Sequence, residues 1–255
     1  MADTASTHQV LGTTVTMPVE IQHARCFVAG FTADRAEVGR VIGDGVRPLA
    51  VRKNRTMCML VFVDYVDGDL GPYNEFGVCF LVEDPSHPPP SRRAALRSLV
   101  GGDARALIHR LPVDGEFTLA AGRRIWGFPK TLAEFEVDHD SPTKHGRLTA
   151  DGQLVVDLTV RPGIGVPDTA TDTVLTAYSR LDGVLRTTPW RLTSTNNTRT
   201  RIGGATLVLG THPIADELRS LRLGRHAWMS SSVGTVTMSF GDATVVASTE
   251  PDPPV

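Results

Sequence analysis

Short segments in which apolar and polar residues alternate recur along the whole chain: "RCFVAGF", "MCMLVFVDYV", "EFGVCFLVE", "EFTLAAG", "AEFEVD", "RLTADGQLVVDLTV", "ATLVLG", "VGTVTMSF" and "ATVVAS". β-Branched and aromatic residues fill these runs and Gly or Asp punctuates them, the pattern of strands joined by tight turns. In "RLTADGQLVVDLTV" an Asp-Gly pair separates two apolar runs and predicts a hairpin turning at Asp151 and Gly152. So many short strands predict a mainly β (α+β) protein whose antiparallel sheet curves or closes on itself.

Helical spacing is confined to three stretches, "DRAEVGRVIG", "SRRAALRSLVGGDARALIHRL" and "HPIADELRSL", where apolar residues return every three or four positions. The last follows Thr211, a candidate N-cap, and carries Asp216 and Glu217 early, where the helix dipole favours negative charge. The Pro-rich "EDPSHPPPSRR" reads as a surface connection, because strand signals continue at the same density on both sides. A single domain over residues 1–255 is expected, with mobile ends at about 1–15 and 248–255.

Composition narrows the class of partner. A hydrophobic content of 41% can fill a sizeable core, and a formal charge of -2 supplies no basic excess for nucleic acid or an anionic membrane. A small molecule or another protein is the expected partner. The N-terminal "MADTASTHQVLGTTVTMPVE" has neither a basic leader nor an apolar core, and nowhere do eighteen apolar residues run together, so the expected location is cytoplasmic. Cys26, Cys58 and Cys79 lie apart among apolar residues, without C-x-x-C or a zinc-like His spacing, and read as small buried hydrophobes. The eight histidines are scattered: His109 and His226 read as helix-end or surface residues, and His212 as a cap or pocket residue. Trp190 reads as a core or interface anchor. No nucleotide-binding loop, serine elbow or metalloprotease motif occurs, and no cofactor or metal is expected.

Charge on apolar faces is more informative than charge in total. The chain has three lysines: Lys53 lies in "RKNR" and Lys144 in "SPTKHG", whereas Lys130 follows a Trp-Gly-Phe-Pro run. If "WGFPKTL" is extended, Trp126, Phe128, Lys130 and Leu132 share one face. Desolvation disfavours an ammonium ion, and a neutral amine is a nucleophile toward ketones and aldehydes. Alternation likewise places Glu75 with Tyr73, Cys79 and Leu81, and Arg25 with Ile21, Phe27, Ala29 and Phe31. Each has an ordinary reading too: Lys130 as a strand-edge residue with a solvated head, Glu75 and Arg25 as a structural ion pair. Together an amine, a carboxylate and a guanidinium are what imine chemistry on a keto acid requires.

These residues resemble those of the acetoacetate decarboxylase family. "AAGRRIWGFPKT" resembles its Pro-Lys signature and "GPYNEFG" its G-x-Tyr-x-Glu-x-Gly segment, while "HARCFVAGFTAD" and "GGATLVLGTHPIADELRSLRL" are similar to its arginine-bearing strand and its C-terminal strand and helix. The resemblance implies Lys130 as the Schiff-base lysine, with Glu75 and Arg25 in the active site; Tyr73, Trp126, Phe128 and Thr131 are expected to bind substrate. It implies a cone-shaped antiparallel β-barrel, a homo-oligomer and a small keto acid as substrate. Thr131 departs from the pattern, standing where the decarboxylases carry a second lysine. Relatives without the full pattern use the same lysine for aldol condensation and dehydration on pyruvate-like substrates, so both outcomes stay open.

Overall fold

A computed structural model describes residues 5–83 and 105–246. The chain opens with a hairpin of β1 (Thr7–Val10) and β2 (Thr13–Thr16), then runs through β3 (Val19–Asp34), α1 (Arg35–Ile42), β4 (Arg55–Gly68), β5 (Tyr73–Val82) and β6 (Arg105–Val113). Helix α2 (Glu116–Ala121) passes into a π-helical turn, Gly122–Trp126, and then into β7 (Lys130–Leu132), β8 (Glu134–Asp138), β9 (Lys144–Ala150) and β10 (Gln153–Val160). The remainder comprises β11 (Ile164–Gly165), β12 (Thr169–Leu181), β13 (Val184–Asn196), β14 (Arg199–Ile202), β15 (Ala205–Leu209), α3 (Pro213–Ser220), β16 (Met229–Phe240) and β17 (Thr244–Val245).

Strands β16, β3, β4, β5, β6, β12 and β13 form a closed seven-stranded barrel, sealed where β13 pairs with β16. A closed ring of strictly alternating strands needs an even number, so seven strands force one parallel junction. That junction is β6 with β12, and the other six are antiparallel, as alternation predicts.

Register sorts the wall into two faces. Cross-strand rows in β3, β4 and β5 run Ala24–Tyr65–Tyr73, Arg25–Asp64–Asn74, Cys26–Val63–Glu75 and Phe27–Phe62–Phe76, and successive rows point to opposite sides. The Phe27–Phe62–Phe76 side packs on a separate sheet of β15, β10, β9 and β8; Gly146 of β9 lies so close that a β-carbon there would meet the Phe27 and Phe62 rings. A four-stranded sheet is too wide for the interior of a seven-stranded barrel, so this side is the outer one. The inner side belongs to a second cluster built from Tyr65, Tyr73, Ile108, Leu111, Val113 and Trp126, against which the β1–β2 hairpin and α2 also pack.

Local signals explain most elements. Asp34 caps α1, its carboxylate accepting from the Ala36 and Glu37 amides, and Asp151 and Gly152 take the positive φ angles of the expected β9–β10 hairpin. Four expectations change. "EFTLAA" is helix α2 rather than strand. "RALIHRLPV" is strand β6 rather than helix, because pairing with β5, β7 and β12 overrides its helical spacing; the preceding residues of that stretch lie outside the described ones. Within the end expected to be mobile at about 1–15, Thr7–Val10 and Thr13–Thr16 form a hairpin with Val10 and Val15 buried, whereas 1–4 and 248–255 lie outside the described residues. His212, not Thr211, caps α3, its Nδ1 accepting from the Ile214 amide at 3.2 Å. Among the described residues no helix is long and apolar enough to cross a membrane.

Candidate active site

Lys130 begins β7, which lies parallel to β6 with Lys130 opposite Leu111. The turn before it sets its direction. Within Gly122–Trp126 the backbone is π-helical, Gly127 adopts φ 62°, and its N–H donates to the Gly122 carbonyl, as does Phe128's at 3.0 Å. The positive φ suits glycine. The expected extended face therefore does not form: Trp126 and Phe128 stack at 5.6 Å in the inner cluster, Trp126 Nε1 donates to the Gly241 carbonyl, and Leu132 is 49% exposed. Trp126 and Phe128 act as packing residues beside Trp190 and Phe240.

Lys130 itself is 2% exposed and Glu75 6%. Lys130 Nζ lies 2.9 Å from Glu75 Oε2 and donates to Thr118 Oγ1 at 2.8 Å. The Tyr65 hydroxyl donates to the other carboxylate oxygen, Oε1, at 3.1 Å, and the Tyr73 ring centre lies 4.8 Å from Nζ. Tyr65 and Tyr73 stack at 4.3 Å, so the pair and its aromatic wall form one unit. Burial, reinforced by the Glu75 charge, pushes both phenols well above their ordinary pKa, which keeps them protonated and able to donate. Gly122 is required by space: a β-carbon there would lie 2.5 Å from Lys130 Cδ and 2.6 Å from Cε.

Two expected residues are elsewhere. Arg25 shares a face with Phe27, as alternation predicts, but that is the outer face; a bulge at His23 and Ala24 puts Ile21 in the inner cluster. Its Nε donates to Asp64 at 2.7 Å and its Nη1 to Asp140 at 2.6 Å, so it is no partner of Glu75. Thr131 is exposed and alternates away from Lys130. Thr118 and Tyr65 were not anticipated. Tyr65 had a signal, because it ends the Val61–Val63–Tyr65 stripe with a polar tip; Thr118 had none, lying in a segment of the wrong predicted type.

Of the three cysteines expected to be buried, Cys58 is, and Cys26 and Cys79 are partly so; burial pushes the Cys26 and Cys79 thiols up to about 12 and Cys58 further, so none is poised to react. His109 is not at a helix end but on β6, half-buried and bonded to Glu217, while His226 is exposed. Among the described residues no group of three or more His, Cys, Asp or Glu is placed to hold a metal ion.

Fold and site together define a class: a closed β-barrel whose wall carries a buried amine–carboxylate pair on its inner face. Residues 6–249 match the family model for acetoacetate decarboxylase (ADC), and the chain belongs to that family. Among solved structures it is similar to acetoacetate decarboxylase from Legionella pneumophila subsp. pneumophila str. Philadelphia 1, at 18% identity over 90% of this chain and 87% of that one, with TM-score 0.65. It is also similar to the enduracididine biosynthesis enzyme MppR complexed with the condensation product of pyruvate and imidazole 4-carboxaldehyde (13% identity, 89% and 88% covered, TM-score 0.64). An acetoacetate decarboxylase-like enzyme from Sphingomonas wittichii RW1 shares 12% identity over 88% of this chain and 91% of that one, with TM-score 0.57. Comparison with curated proteins gives no match.

Proposed function

We propose that this protein is a carbon–carbon lyase that decarboxylates a small β-keto acid through an imine on Lys130. The observation that carries the reading is the 2.9 Å approach of Lys130 Nζ to Glu75 Oε2 with both side chains almost wholly buried. An isolated buried ion pair gains little stability over apolar residues of similar volume, so its presence on an aromatic wall supports a chemical role.

The steps follow from the contacts. Lys130 gives a proton to Glu75, and the freed amine adds to the substrate ketone. The carbinolamine takes a proton from Glu75 and loses water, leaving a protonated imine. The electrons of the bond to the carboxylate move into that imine, carbon dioxide leaves and an enamine remains. Protonation at carbon and hydrolysis by water release the ketone and restore Lys130. Tyr65 holds Glu75 through Oε1 while Oε2 exchanges protons, and Thr118 orients Nζ. The neutral hydroxyls around Nζ favour the decarboxylative outcome, because a carboxylate out of water is destabilised relative to carbon dioxide. A pyruvate-type condensation keeps its carboxylate throughout and needs a cation to hold it, and Arg25 faces the other way, bonded to two acids.

Borohydride reduction in the presence of acetoacetate, longer 3-oxo acids or pyruvate, read by intact mass, tests the reading. The expected result is a reduced adduct on the wild-type protein, none on Lys130→Ala, and carbon dioxide release with a 3-oxo acid. Condensation of pyruvate with an aldehyde, without carbon dioxide release from any 3-oxo acid, would replace this reading with the aldolase-dehydratase one. The absence of any adduct would leave a ligand-binding barrel.

A further inference from the structure

A polar cavity of about 500 Å³ lies where the pairing of β3 with β16 is interrupted, between Cys26–Val233 and Ala24–Val236. Its lining includes Arg25, His139, Lys144, Asn197 and Arg199, with Asp140 as the acidic member. Lys130 and Glu75 are not among the lining residues. The size suits a small molecule. Three basic groups face one acid, and that acid is already bonded to Arg25.

The basic groups are held by the protein in a way that leaves charge to spare. Lys144 Nζ donates to the His139 carbonyl at 2.6 Å, and Arg199 Nη1 to the Gly163 carbonyl at 3.4 Å, both neutral acceptors. Arg25 commits Nε and Nη1 to Asp64 and Asp140. His139 is 8% exposed, its ring packs on Phe27 at 5.1 Å, and its Nε2 is buried without a hydrogen-bond partner. That atom is closed even to a water molecule, so the ring serves as packed wall and leaves ligand binding to the cations. Burial holds this imidazole down to about 4, so at neutral pH it is uncharged and adds no positive charge to the lining.

We propose that this cavity binds a small carboxylic acid at a site separate from the Lys130–Glu75 pair, with the carboxylate held by Lys144 and Arg199. A planar carboxylate suits the flat guanidinium fork, and a mono- or dianion matches the excess of basic over acidic lining. The lining residue Cys26 belongs to the same cross-strand row as Val63 and Glu75, so the cavity abuts the inner face of the barrel.

Malonate is a suitable probe, because it has no ketone and cannot form an imine. Titration calorimetry on the whole protein is expected to give a Kd of about 1 mM or tighter, weakened at least about tenfold in Arg199→Ala and in Lys144→Ala. Arg199 is exposed, so its truncation leaves the fold intact. The proposal is overturned if malonate fails to bind or if both variants bind it as the wild type does. Tighter binding of inorganic phosphate than of malonate would overturn the carboxylate assignment. Borohydride trapping at Lys130 is unaffected by any of these results, so the two sites fail or stand separately.

Discussion

The two faces of the β3–β4–β5 wall hold two ion pairs one residue apart. On the inner face the row through Glu75 brings a carboxylate to Lys130, with both side chains almost fully out of water. On the outer face the neighbouring row joins Arg25 to Asp64, with Arg25 31% and its second partner Asp140 86% exposed. Water screens the outer pair, whose net worth is about 0–1 kcal/mol. The inner pair has lost its hydration, and the attraction between the charges largely cancels that cost. The same chemistry therefore serves opposite ends: the outer pair tolerates change, while the inner one is fragile if half of it is removed.

The most severe test of that contrast is Glu75→Gln. It leaves a buried ammonium with no counter-charge and is expected to cost about 3 kcal/mol in urea denaturation and about 10²–10⁴-fold in turnover. Replacing both members, Lys130→Met with Glu75→Leu, should restore stability to near the wild-type level while leaving no activity. If Glu75→Gln turned over substrate at the wild-type rate, the inner pair would be structural and the contrast would collapse.

Gly122→Ala probes the inner face without touching its charges. The added methyl would overlap the Lys130 stem, whereas the helical φ of -58° at Gly122 accepts alanine without strain. Displacing the amine by a fraction of an ångström is expected to lower kcat about 10–100-fold, with a stability loss of about 1–3 kcal/mol from overpacking. Equal rates in the two proteins would mean that Nζ placement is not limiting.

The faces themselves were legible in the sequence, but their alignment was not. Alternation correctly groups Arg25 with Phe27, Ala29 and Phe31, and Glu75 with Tyr73. It cannot say that these groups lie on opposite sides of one wall, because that depends on register between strands, and a one-residue step reverses every side chain. The strand content and the Asp151–Gly152 hairpin came from local propensity, which turn chemistry enforces. β6 was hidden because its partners on both sides, not its own pattern, make it a strand. The π-helical turn before Lys130 was hidden for a related reason: it takes its shape from Gly127 and from Trp126 anchored on Gly241, far along the chain. Family resemblance named Lys130 and Glu75, yet it also carried over Arg25, which the fold turns away, as it does Thr131.

An outer pair on the same barrel gives a smaller effect, dependent on pH. Burial opposes ionisation of Glu217, but hydrogen bonds from His109 and Arg110 and the positive charge beside it outweigh that, bringing the carboxyl down to about 2. A folded-state pKa below the ordinary value stabilises the protein above about pH 5, and that contribution is lost as pH falls toward 2. Glu217→Gln should lower stability by about 1 kcal/mol at pH 7, after allowance for solvent screening, and by almost nothing near pH 2. Urea midpoints at several pH values measure the difference; a gap that stays constant on acidification would contradict it.

The smallest expected effect comes from Thr131→Lys, which restores the second lysine of the family pattern. An ammonium close to a nucleophilic lysine lowers that lysine's pKa. In this barrel the strand alternates, so a side chain at 131 leaves from the face opposite Lys130 and enters water. Water and the intervening wall screen the new charge, and the expected changes are under about threefold in kcat/KM and within about 0.5 kcal/mol in stability. A pH–rate profile gives the sharper reading. If the inner and outer faces are as separate as the register makes them, its limbs stay where they are in the wild type; a limb moved by about one pH unit would put the added ammonium beside Lys130 and merge the two faces electrostatically.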